Sequence, residues 1–130
     1  PRQVEARLAA AGVRVVDRPV RLDALLPCCD LGISHGSNGM AAAFLAAGVP
    51  EIALPSQLEQ VMCARVIADQ TLGVGLIGGH GPGDLRAAIE RVLDDDIMRG
   101  LVKAKAAALG SSPVADGTRM ALALERALAG

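Results

Sequence analysis

The sequence predicts an α/β domain, a parallel sheet covered by helices on both faces. Two observations carry this. Short apolar runs alternate with stretches of helical periodicity, and the runs are continuously apolar rather than alternating, as in strands buried on both sides. At 130 residues the chain fits one small domain, residues 1–130, and its 52% apolar content is enough to build a core.

Taken in order, Arg2–Ala11 carries Val4, Leu8, Ala9 and Ala11 at helical spacing and stops at Gly12. Val13–Val16 is a short β-branched strand, and Asp17–Arg21 a loop. Leu22–Leu26 makes a helical turn closed by Pro27, and Asp30–Ser34 forms the second strand. Ser37 or Asn38 caps a helix running to Ala47, with Gly48 and Pro50 ending it. Glu51–Leu54 is the third strand, closed by Pro55.

The next helix covers Leu58–Gln70 with Val61, Met62, Ala64 and Ile67 on its inner face, and Val74–Ile77 is the fourth strand. A loop of Gly78–Gly83 follows. Asp84 caps a helix through Leu93, with Leu85, Ala88, Ile89 and Val92 inward. The run Asp94–Asp96 opens another helix, where negative charge suits the macrodipole. A last helix is expected at Val114–Ala129.

Composition narrows the function. A net charge of −1 and a single aromatic residue, Phe44, argue against nucleic acid as a partner. No apolar run approaches the roughly 18 residues of a membrane span, and no signal peptide stands at the start. Cys28, Cys29 and Cys63 are odd in number and lack metal-ligand spacing, so they read as small buried or half-buried side chains in a reducing cytoplasm. The chain reads as a fragment of a longer protein.

In a doubly wound sheet, ligands sit at the carboxyl ends of the strands. His35-Gly36-Ser37-Asn38-Gly39 lies there, between a strand and a helix whose free N–H groups and dipole favour an anion. Gly36 and Gly39 let backbone approach a phosphate closely, and His35 can donate to it. The same residues also fit a strained turn with a buried histidine bonded to backbone. After the next strand, Glu59 and Gln60 offer groups suited to sugar hydroxyls, although such a pair also serves as a solvated helix start. Phosphate at one strand end and a polyol at the next describe a nucleotide sugar. His80, in its glycine-rich loop, reads as exposed.

The stretch LDALLPCCDLGISHGSNGMAAAFLAAGVPEIALPSQLEQVMCARVI resembles the nucleotide-sugar half of bacterial glycosyltransferases of the two-Rossmann-domain (GT-B) type, in particular the UDP- or dTDP-sugar-dependent group that glycosylates natural products. The resemblance runs from about Val13 to Val92 and implies a Rossmann-like C-terminal domain lacking its first strands. It implies diphosphate binding by His35, Gly36, Ser37, Asn38, Gly39 and Met40, donor-sugar binding by Glu59 and Gln60, and base contact by Arg18, Val20 and Leu22. The family usually has Gly at Ser37 and Thr or Ser at Met40, so the hydroxyl that helps hold a phosphate is missing.

The implied function is the donor-binding part of an inverting glycosyltransferase, with no catalytic residue and no cofactor or metal in this chain. The catalytic base and the pocket for a small apolar acceptor would come from an absent N-terminal domain. Two alternatives stand beside it: the donor subunit of a split enzyme, or a non-catalytic nucleotide-binding or interaction module. The unpaired sheet edge expected here favours homo-oligomers.

Overall fold

A computed structural model describes residues 2–110. The helix expected at Val114–Ala129 lies outside the described residues. Among the described residues, six α-helices and three strands appear in the order α1 (Arg2–Ala10), α2 (Leu22–Leu25), β1 (Gly32–Ser34), α3 (Asn38–Ala47), β2 (Glu51–Ala53), α4 (Leu58–Asp69), β3 (Gly73–Gly75), α5 (Pro82–Asp94) and α6 (Asp96–Gly110). Leu26–Cys28 continues α2 as a tighter 3₁₀ turn with Pro27 inside it. The strands form one parallel sheet in the order β1-β2-β3.

Parallel strands need both faces covered, and the side chains of β2 show how that is done. Neighbouring residues on a strand point to opposite faces. Ile52, fully buried, joins Ala88 and Val92 of α5 and Met98 and Val102 of α6. Ala53, on the other face, joins Ala64 and Ile67 of α4. A third cluster of Leu26, Phe44 and Val49 anchors the segment before β1 to α3. The inward residues Ala88 and Val92 of α5 are as the helical period requires, with Leu85 and Ile89 partly buried beside them.

The register puts Gly32, Glu51 and Gly73 side by side across all three strands. Both outer members are glycine because the space is taken. A Cβ on Gly32 would stand 2.0 Å from the Phe44 ring, and one on Gly73 would stand 1.8 Å from the Glu51 carbonyl oxygen. The close approach of β3 to β2 and the seat of the only aromatic ring therefore depend on absent side chains.

Four expectations are corrected. Val13–Val16 forms no strand; Val13, Val15 and Val16 are about half exposed. A strand exists only by pairing, and no described strand lies beside this segment. In the common doubly wound order 3-2-1-4-5-6, β1–β3 would be the last three strands and Val13–Val16 the outermost on the other side, with two strands between it and β1. The fourth expected strand begins earlier, at Gly73, and ends at Gly75. Met62 points outward and is 62% exposed, while Gln60 takes a buried place on the same helix. Cys28 is exposed rather than buried.

Capping follows the sequence with one change. Ser37 is the N-cap of α3, its hydroxyl accepting from the Met40 amide at 3.4 Å. At α5 the cap is Gly81, and Asp84 stands three residues in, its carboxylate accepting the Gly81 amide at 2.8 Å.

Candidate functional site

The β1–α3 turn leaves the sheet at its carboxyl end. Gly36 sits there with φ +77°, a left-handed conformation that costs a side-chain-bearing residue about 1–2 kcal/mol. Its amide donates to the Ser34 hydroxyl at 2.8 Å, which bends the chain back on the strand it has just left. Beyond the bend, α3 begins. The amides of its first turn have no partner within the helix. That of Met40 is taken by Ser37; those of Asn38 and Gly39 meet no acceptor among the described residues.

His35 is exposed and forms no hydrogen bond among the described residues. The histidine is therefore not a buried group tied to backbone; it stands open beside a helix N-terminus. The side chain of Met40 turns away from solvent and packs against the Leu26, Phe44 and Val49 cluster.

The second cluster divides. Glu59 is exposed, and its Oε1 accepts from Asn38 Nδ2 at 3.0 Å, so the two strand-end turns are bridged directly. Gln60 is only 8% exposed. Its Oε1 accepts from the Ser56 amide at 2.9 Å and the Ser56 hydroxyl at 3.2 Å, holding the β2–α4 loop closed. The pair expected to act together thus has one member facing solvent and one bracing the loop.

Of the residues expected near a base, Arg18 and Val20 line one open cleft of about 690 Å³ with Arg14, Val16, Pro19 and Leu25. Leu22 lies apart from it and packs on the Leu26 cluster. Arg21, in the same segment, forms an exposed ion pair with Asp23, which holds the Asp23 carboxyl below the usual range. His80 is exposed in its loop. Among the described residues no cluster of three or more His, Cys, Asp or Glu side chains could hold a metal ion, and no helix is long and apolar enough to cross a membrane.

Sequence reasoning passed over Glu51. It is 2% exposed, accepts the Ser34 hydroxyl through Oε1, and leaves Oε2 without a partner among the described residues. Burial pushes its carboxyl above the ordinary range, opposed by the Ser34 bond and by nearby His35. Glu51 and Glu59 also bear on Cys63, whose half-buried thiol is pushed up chiefly by burial. A signal was present: an acid heads the otherwise apolar strand run Glu51-Ile52-Ala53-Leu54.

A parallel sheet sheathed by helices, with an open helix N-terminus at a strand's carboxyl end, is the arrangement of a Rossmann-like domain. Residues 3–121 match the family described as erythromycin biosynthesis protein CIII-like, C-terminal domain, and the chain belongs to that family.

Its relatives are named glycosyltransferases. The chain is 40% identical over 81 residues to the demethyllactenocin mycarosyltransferase of Streptomyces fradiae, which is 62% of this chain and 18% of that protein. It is 32% identical over 97 residues to the tylactone mycaminosyltransferase of the same organism, covering 72% of this chain and 21% of that one. The fold matches the crystal structure of the glycosyltransferase SnogD from Streptomyces nogalater with a TM-score of 0.69 and 31% identity, over 92% of this chain and 30% of that chain. It matches the kitacinnamycin glycosyltransferase with a TM-score of 0.74, at 24% identity, over 88% of this chain and 29% of that chain. The chain therefore spans less than a third of each of these proteins.

Proposed function

We propose that this chain is the donor-binding part of an inverting glycosyltransferase that moves a sugar from UDP or dTDP to a hydroxyl of a small apolar acceptor. The observation that carries this reading is the β1–α3 turn, where the unpartnered amides of Asn38 and Gly39 and the exposed His35 stand together at the carboxyl end of a parallel strand. These groups suit a diphosphate, and the α3 dipole adds to them. When the glycosidic bond breaks, negative charge grows on the leaving diphosphate, and donors already in place there lower the barrier.

Glu59, one hydrogen bond away from Asn38, is positioned to meet hydroxyls of the attached sugar. Binding the donor then exchanges the Asn38–Glu59 contact for contacts to the ligand. Gln60 acts differently: its carbonyl oxygen keeps the β2–α4 loop in shape, and only its Nε2 end remains for a sugar. The Arg18–Val20 cleft is the place for the base. The names of the relatives, all sugar transferases, support the reaction class.

The acceptor and the base that deprotonates it are assigned to a part of the enzyme outside this sequence. A general base must come within about 2.6–3.2 Å of the acceptor hydroxyl, and His35 is given to the diphosphate. Titration of the chain with UDP and dTDP, followed by NMR, is expected to shift His35, Asn38 and Gly39, and incubation with UDP- or dTDP-sugars and phenolic or polyketide acceptors is expected to give no glycoside. Shifts confined to the His80 loop would overturn the site. Glycoside formation abolished by one substitution in this chain would overturn the division of labour.

A further inference from the structure

The strongest unexplained feature is an acid sealed inside the sheet beneath the turn. Glu51 opens β2, its side chain is buried, and one oxygen faces no partner among the described residues. It also borders a cavity of about 140 Å³ lined mostly by apolar groups, among them Phe44, Ile67, Leu72 and Val102. Burying a carboxyl group is costly, and core volume alone is served better by an apolar residue. Its one hydrogen bond therefore marks what it does.

That bond runs from the Ser34 hydroxyl to Glu51 Oε1. A serine hydroxyl has one proton to give and lone pairs to accept with. Once the proton is committed to Glu51, the lone pairs face the other way, where the Gly36 amide donates to them at 2.8 Å. The chain of donors reads Gly36 N–H to Ser34 Oγ–H to Glu51. Bonds in such a chain polarise and orient one another. Gly36 is the residue whose left-handed backbone aims the α3 amides outward.

We propose that Glu51 and Ser34 are positioning residues for the diphosphate site: Glu51 fixes the Ser34 hydroxyl, which holds Gly36 in the bend that presents Asn38, Gly39 and His35 to the donor. Neither side chain touches the ligand. The effect on binding rests on the donor reading given above, while the relay itself is a property of the unliganded protein, so the two are tested separately.

The test uses the 130-residue chain and the variants Ser34→Ala, Glu51→Ala and Glu51→Gln. Hydrogen exchange of the Gly36 amide is measured without ligand, and dTDP affinity by calorimetry. A glutamine at 51 keeps a carbonyl oxygen to accept the Ser34 proton; alanine does not. Loss of one neutral hydrogen bond changes an equilibrium by about two- to tenfold. Ser34→Ala is expected to speed Gly36 exchange and to weaken dTDP binding by that range. Glu51→Ala should do the same, and Glu51→Gln should restore both to near the parent values.

Rescue by glutamine separates positioning from simple loss of packing. If Glu51→Ala does not fold, Ser34→Ala still carries the test, since it removes one oxygen and leaves the acid in place. Unchanged Gly36 exchange in Ser34→Ala, or failure of glutamine to rescue, would overturn the relay. If the parent chain binds neither dTDP nor UDP, the donor reading falls and the role in binding falls with it, while the exchange data still report whether the relay exists.

Discussion

Replacing His35 with alanine separates binding from folding more cleanly than any other change at this site. The imidazole is exposed and makes no hydrogen bond among the described residues, so stability should move by no more than about 0.5 kcal/mol. Binding should respond differently. A hydrogen bond to a charged partner contributes about 1.5–3 kcal/mol, and the openness of this turn places His35 at the lower end of that range. About 1.5 kcal/mol corresponds to a roughly 12-fold weaker dTDP affinity. Calorimetric titration of His35→Ala against the parent chain, with melting temperature recorded in parallel, measures both quantities. His80→Ala is the control, since His80 lies in a separate exposed loop. The reasoning fails if His35→Ala binds dTDP as tightly as the parent, or if His80→Ala costs as much.

Two further outcomes follow from the neighbouring residues. Met40→Thr places a hydroxyl at the α3 N-terminus and removes a side chain that packs on Leu26, Phe44 and Val49. It should tighten dTDP binding by up to about fivefold, as a gain of about 1 kcal/mol allows. Its melting temperature should fall, because a truncated core side chain costs on the order of 1–2 kcal/mol when half-buried. Weaker or unchanged binding would mean that the hydroxyl does not reach the diphosphate.

Glu51 predicts a pH dependence. Its carboxyl is raised by burial in the folded chain, with the Ser34 hydroxyl and His35 opposing and Cys63 close by. A carboxyl raised on folding contributes stability that is present below its unfolded value of about 4.3 and is lost as pH rises through the folded value. The stability difference between the parent and Glu51→Gln, followed by urea unfolding from pH 4 to 8, should therefore shift in favour of the glutamine variant as pH rises. A difference flat across that range would refute it.

Much of this was legible in the sequence, and the failures are instructive. Strands at Glu51 and near Asp30, the α3 cap at Ser37 and the inward faces of α5 all follow from periodicity and capping chemistry. These signals are local, carried within one turn of helix or a few residues of strand. Val13–Val16 has strand composition without strand structure, because hydrogen-bond pairing is supplied by a partner and not by composition. Met62 fell on the wrong side of α4 because a polar residue, Gln60, had the stronger claim on the interior through its bonds to Ser56. The strand-end location of His35–Gly39 was readable, whereas the Ser34–Glu51 bond joins residues 17 positions apart and could be seen only once β1 and β2 were paired.

The row of Gly32, Glu51 and Gly73 bears on how such domains can be recombined. Each member is fitted to a neighbour from another part of the chain: Gly32 to the Phe44 ring, Gly73 to the Glu51 backbone. A chimera cut between positions 32 and 73 would join a glycine from one parent to a bulkier residue's partner from another, and the strands could not close. Exchange of donor preference between relatives should therefore move 32–73 as one cassette, with crossover points in the exposed stretches at 12–21 and 77–81, where a change of parent disturbs no strand register.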